Sequence, residues 1–180
     1  TVTDARHNAT VYTLNLDGNP TKVEEPLEPL GKTTLMTWAA NDILKTSETD
    51  ALGRLTEFSY DQNGNLTSRR IHTTDFDVVE TTYTYELTFN KMTSKRDGEN
   101  RQWLYDVNPN NGDVEKATDP AGNEIIFVYD SNGQLQTEID PRGHSTLYNS
   151  YDSFGNALKI RSPLGVETTR TFDALGRMTQ

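Results

Sequence analysis

The sequence predicts an all-β protein built from tandem antiparallel β-hairpins. Three observations carry this reading: evenly spaced turn glycines, a period of two between them, and a composition suited to pleated sheet. The glycines after residue 111 are Gly112, Gly122, Gly133, Gly143, Gly155, Gly165 and Gly176, at intervals of 10, 11, 10, 12, 10 and 11 residues. About seven residues lie between turns, a usual strand length. In "EIIFVYD", Ile125, Phe127 and Tyr129 share one face, and Ile126 and Val128 the other. In "TTYTYELTF", Tyr83, Tyr85, Leu87 and Phe89 oppose Thr82, Thr84, Glu86 and Thr88; in "RQWLYD", Arg101, Trp103 and Tyr105 align. This periodicity indicates strand rather than helix. Regular turn spacing indicates a long antiparallel meander.

Composition agrees. Hydrophobic residues make up 33% of the 180, and mean hydropathy is −0.75, lean for a packed two-layer core. Eight Tyr, six Phe, two Trp and more than twenty Thr suit a sheet surface. The net charge of −10 argues against nucleic-acid binding, which needs clustered Lys or Arg. The local basic pairs are Arg69-Arg70 and Lys95-Arg96. Without cysteine there is no disulfide scaffold and no thiolate nucleophile or metal ligand. No run approaches the roughly 18 apolar residues of a membrane helix. The chain opens with neither an initiator Met nor a signal peptide, which reads as an internal piece of a longer polypeptide.

The turns alternate between two kinds. One is Tyr/Phe-Asp-x-x-Gly: Tyr129-Asp130 with Gly133, Tyr151-Asp152 with Gly155, and Phe172-Asp173 with Gly176. A longer version runs from Tyr105-Asp106 to Gly112. The other kind is Asp119-Pro120 with Gly122, Asp140-Pro141 with Gly143, and Pro163 with Gly165. Turns of like kind recur every 21 or 22 residues, so the unit is strand, turn, strand, turn. Asp can accept hydrogen bonds from backbone amides two residues on, Pro presets φ, and Gly supplies φ > 0.

The amino-terminal half keeps the pattern less strictly. Gly18, Gly31, Gly53 and Gly64 mark turns, and another is due at Asn41-Asp42. Tyr60-Asp61 with Gly64 repeats the first kind. "TDALGRLTEFSY" matches "FDALGRMTQ", with Thr49 in place of the aromatic. Residues 68–90 contain no Gly or Pro, so Asp75 and Asp77 must carry a turn there. Acidic, Pro-rich residues 23–31 read as a loop or short insertion. The whole chain, 1–180, reads as one repeat region, clear at 49–67 and 105–180 and divergent at 1–48 and 68–104.

These residues resemble the YD repeats of the Rhs family, shared with teneurins and the shell-forming subunits of insecticidal Tc toxins. "YDSNGQLQTEIDPRGHSTLYNSYDSFGNALKI" fits a full family unit, and "TDALGRLTEFSYDQNGNLTSRRI" fits another. The resemblance implies hairpins joined edge to edge into a curved spiral sheet, part of a hollow shell that encloses a toxic carboxy-terminal domain. The self-cleaving core segment that closes some family shells has no counterpart here. Low apolar content fits such a strip, whose stability comes from neighbouring hairpins.

Enzyme chemistry finds little support. "PLGKTT" lacks the first glycine of a phosphate loop, since Pro26 stands there. His7, His72 and His144 have no zinc spacing. "DVNPNNGDVEKA" departs from a calcium loop, with Gly112 one position late and Ala117 in place of the bidentate Glu. Trp38 and Trp103 could stack on sugars, though strand aromatics usually pack. The sequons at Asn8 and Asn65 matter only in a eukaryotic secretory host. The reading is therefore a non-enzymatic structural segment of a secreted or cell-surface bacterial shell, without cofactor or metal. Its partners are other repeats and a carboxy-terminal toxin domain of the same protein. The alternative is an adhesion or glycan-binding module. Two structural expectations follow. Tyr129, Tyr151 and Phe172 form an aromatic ladder, and exposed edge strands allow edge-to-edge self-association.

Overall fold

The computed structural model describes residues 1–4, 8–25, 31–41, 43–73 and 77–179. Every regular element among them is a β-strand. The chain divides into two compact units, one of Thr1–Thr84 with Lys95–Arg101 and one of Tyr85–Ser94 with Gln102–Gln180. In the first unit β1 (Val2–Thr3), β2 (Ala9–Leu14), β3 (Pro20–Glu25), β4 (Lys32–Trp38), β5 (Lys45–Thr49), β6 (Leu55–Tyr60), β7 (Leu66–His72) and β8 (Val78–Tyr85) each pair antiparallel with the next. β9 spans Met92–Arg96. In the second unit β10 (Gln102–Val107), β11 (Val114–Thr118), β12 (Glu124–Tyr129), β13 (Leu135–Ile139), β14 (Ser145–Tyr151), β15 (Ala157–Arg161) and β16 (Glu167–Thr169) do the same. Within each unit, strands thus meet their sequence neighbours, as tandem hairpins require.

Each unit is a layer without a buried core. No side chain among the described residues is fully buried. What remains is partial burial by lateral neighbours, sorted by face. In the second unit, register places Tyr105, Ala117 and Ile125 in a row across three strands, and Tyr148, Ile160 and Thr168 in another. The opposite face carries Lys116, whose ammonium donates to Glu124 at 3.0 Å and lies 3.1 Å from Asp106. It also exposes Ile126 and Val128, 39% and 41% accessible.

Several local expectations need revision. The run from Tyr83 to Phe89 is not one strand: β8 stops at Tyr85, and Leu87 is 83% exposed beyond it. Glu86 ends the strand because its carboxylate folds back over the turn amides (below). The turn after β7 closes with the Thr73 N–H donating to the Asp77 carbonyl at 3.0 Å. Asp75, Asp42, His7 and Pro26 to Leu30 lie outside the described residues. At the far end Phe172 bridges Met178, and the Thr179 N–H donates to the Thr171 carbonyl at 2.8 Å. The last hairpin therefore has a returning segment.

One glycine does more than turn the chain. Gly112 has φ of +79°, and a Cβ built there would lie 2.6 Å from Phe89 Cγ. Gly122 has nearly the same φ, +82°, but open space around it. Gly122→Ala should cost about 1–2 kcal/mol for the left-handed backbone alone. Gly112→Ala should cost roughly 1–3 kcal/mol more, because the Phe89 ring root must move. Thermal or urea melts of the two variants check the difference.

Candidate functional site

The repeated feature is the turn itself, and it is built the same way many times. At Asp152 the Oδ1 atom accepts the N–H of Phe154 and of Asn156, each at 2.9 Å, and Oδ2 accepts Asn156 Nδ2 at 2.9 Å. The Gly155 N–H donates to the Asp152 carbonyl, and the Asp152 N–H to the Asn156 carbonyl. One residue thereby closes a type I turn followed by a left-handed glycine, the three-residue hairpin loop. Asp61, Asp119 and Asp140 repeat this, with Asn65, Asn123 and His144 as the fifth residue. Asp50, Asp97 and Asp173 use Arg54, Arg101 and Arg177, whose Nε lies 2.7–2.8 Å from Oδ2. Asp130 accepts the Asn132 and Gln134 amides. The two kinds of turn read from sequence therefore share one carboxylate cap. The residue after glycine completes the cap, which explains the recurring Gly-Asn and Gly-Arg pairs.

Other residues take the same place where the motif was not legible. Asn15 caps the Gly18 turn through the Asp17 and Asn19 amides. In the longer turn the cap is Asn108, which accepts the Asn110 N–H at 2.9 Å. Asp106 sits two residues earlier, in β10, against Lys116. Glu86 accepts the amides of Thr88, Phe89 and Lys91; its extra methylene spans a wider turn. Asn90 and Asn100 hold φ of 55° and 61°, the left-handed position glycine fills elsewhere. Asparagine tolerates that region, so a search for glycine at the left-handed position misses both turns. At Ser162 a hydroxyl accepts the Val166 N–H, at 3.2 Å.

Alternate turns carry a second device. The strand before the turn ends in a register shift, placing Leu14, Trp38, Tyr60, Val107 and Tyr129 at a bulge. From this position the Tyr60 hydroxyl donates to the Lys45 carbonyl at 2.8 Å, and the Tyr129 hydroxyl to the Val114 carbonyl at 3.0 Å. Tyr151 donates likewise to the Leu135 carbonyl, and Trp38 Nε1 to Pro20 at 2.9 Å. Each acceptor is the first residue of the strand that precedes the donor's own. It lies directly opposite the bulge residue of the preceding like turn: Pro20 opposite Leu14, Lys45 opposite Trp38, Val114 opposite Val107, Leu135 opposite Tyr129. The aromatic residue thus pins one repeat to the one before it. The expected ladder takes the form of these polar pins, made by half-buried rings. Phe172, lacking a hydroxyl, cannot make one.

The electrostatics follow from the caps. Hydrogen bonds from the fifth residue's side chain hold Asp50, Asp61, Asp119, Asp140 and Asp152 below the ordinary carboxylate value. For Asp173 the Arg177 backbone amide leads, and for Glu86 the Lys91 amide. At Asp97 desolvation pushes upward, but the combined Arg101 and Glu99 bonds outweigh it. Burial, then nearby turn carboxylates, pushes Tyr129 and Tyr151 up, which keeps both hydroxyls protonated as donors. His72 lies 2.6 Å from Glu57, and exposed His144 is a cap partner. Among the described residues no group of acidic or histidine side chains is placed to hold a metal ion.

A teneurin YD-shell family model matches residues 8–180. The chain belongs to the teneurin YD-shell family. Its fold is that of solved Tc toxin shells. A TcdB2–TccC3 structure without its hypervariable carboxy-terminal region matches with TM-score 0.68 and 16% identity, over 96% of this chain and 11% of that one. A Photorhabdus luminescens Tc holotoxin pore matches with TM-score 0.65 and 16% identity, over the same shares. The chain thus spans about a tenth of the shell chains it matches. No curated protein matches it. Its role, like that of its family, is structural: a run of shell repeats.

The caps set the acid limit of this YD-shell segment. The carboxyls of Asp50, Asp61, Glu86, Asp97, Asp119, Asp140, Asp152 and Asp173 have depressed folded-state pKa values, so their stabilisation is full above the unfolded carboxylate value and is lost as pH falls through the folded one. Melting temperature should be flat near neutrality and fall below about pH 4. The raised tyrosines give the opposite limit, with stability lost as pH rises beyond about 10. Asp152→Asn, which keeps one acceptor oxygen, should lose less stability than Asp152→Ala. Circular-dichroism melts across pH check all three.

Proposed function

We propose that this segment is part of the wall of a hollow shell, in a secreted or cell-surface bacterial protein, that encloses a carboxy-terminal toxin or effector domain. The observation that supports this most is the pinning of each repeat to the one before it. A strip held by turn caps and neighbour pins extends without a core, and a wall needs that property. The likeness to shell chains of TcdB2–TccC3 complexes supports the same reading. Glycan binding is less favoured, because Trp38 commits its indole N–H to the Pro20 carbonyl. In the intact polypeptide, an enclosed domain should resist added protease. Asp130→Ala combined with Asp152→Ala should loosen two consecutive repeats and shorten that domain's lifetime under protease. Equal sensitivity in both proteins contradicts enclosure.

A further inference from the structure

The sequence contains three Asn-Gly pairs, Asn63-Gly64, Asn111-Gly112 and Asn132-Gly133, all at turns. An Asn side chain followed by Gly is open to attack by the glycine nitrogen, because no Cβ shields it. The fold treats the three pairs differently. Asn111 is the best held: its Nδ2 donates to Asp113 Oδ2 at 2.7 Å, and its Oδ1 accepts the Asp113 N–H at 3.1 Å. Gly112 beside it is buried, lies under Phe89, and donates its N–H to Asn108 at 2.9 Å. Asn63 is intermediate. Gly64 is half-buried, with Leu44 methyls 3.9–4.0 Å from where its Cβ would be, and Asn65 locks the Asp61 cap through Nδ2. At the third pair both Asn132 and Gly133 are exposed, and space around Gly133 is open. The fifth residue here is Gln134, which reaches Asp130 through its backbone amide.

We propose that Asn132 is a site of spontaneous backbone modification, converting to aspartyl and isoaspartyl forms ahead of Asn63 and well ahead of Asn111. The Gly133 nitrogen loses its proton to solvent base and attacks Cγ of Asn132. The Cγ–Nδ2 bond breaks, ammonia leaves, and a succinimide forms. One water then opens either imide carbonyl. Attack at the original side-chain carbonyl restores a normal peptide link with a carboxylate. Attack at the other leaves an isoaspartyl link, with one extra carbon in the main chain. That carbon falls inside a turn closed by Gly133 N–H to Asp130 carbonyl, 3.0 Å, and Gln134 N–H to Asp130 Oδ1, 2.9 Å. The lengthened loop cannot keep both bonds. The loosened return strand begins at Leu135, the acceptor of the Tyr151 pin. Chemical change at one exposed turn therefore reaches the next repeat.

The test is to hold the 180-residue chain at mildly alkaline pH, folded and in parallel in urea. Peptides are then read by mass spectrometry with isoaspartyl methyltransferase labelling. In urea the three pairs should react at similar rates. In the folded chain the order should be Asn132, then Asn63, then Asn111, and Asn132 should be slowed by roughly five- to tenfold relative to urea, the worth of one net backbone hydrogen bond. Gln134→Asn, which supplies the missing Nδ2 clamp, should slow Asn132 further and leave Asn63 unchanged. Equal folded rates at Asn132 and Asn111, or a Gln134→Asn variant that reacts as fast as the parent, overturn the proposal.

Discussion

Most of the described hairpins depend on one side-chain acceptor oxygen at the first turn position. An isolated two-stranded hairpin is at best marginally stable in water. Among the described residues no side chain is fully buried to compensate. The loss of conformational freedom must be offset locally, turn by turn. One side-chain oxygen answers two backbone amides, and a second oxygen fixes the fifth residue. Cap, register and strand length are set together, because the closing bonds decide which residue begins the return strand.

The pin is the cap's consequence at the next level. At the strand's end beside alternate turns, an aromatic donor, itself at a register shift in the case of Trp38, Tyr60 and Tyr129, reaches back to the opposite number of the previous bulge residue. Tyr60, Tyr129 and Tyr151 do this with a hydroxyl, Trp38 with an indole N–H. Neighbour-only coupling explains how a chain of mean hydropathy −0.75 holds sheet structure. It also suits a wall extended by repetition rather than by enlarging a core.

Much of this was legible in the sequence, for identifiable reasons. Asp130 and Gly133 advertise their turn because carboxylate and left-handed glycine are distinctive residue types. The same geometry made with Asn108, or with Glu86 and Asn90, leaves no such mark. The longer turn was read two residues early for this reason: Tyr105-Asp106 looks like the motif, yet Asp106 is a strand residue beside Lys116. The faces of β12 were legible from alternation alone. The pins were not, since no single-strand pattern reveals a hydroxyl reaching the strand behind. Trp38, followed by Ala39 instead of a carboxylate, gave the least warning of all.

The central claim is that aromatic donors couple consecutive repeats. Native-state amide exchange on Tyr129→Phe tests it most directly, because the ring stays and only the hydroxyl goes. The account predicts lost protection in β11, around Val114, as well as in β12, with β15 and β16 unchanged. Loss confined to the Asp130 turn, or an even loss across every strand of the unit, would contradict it.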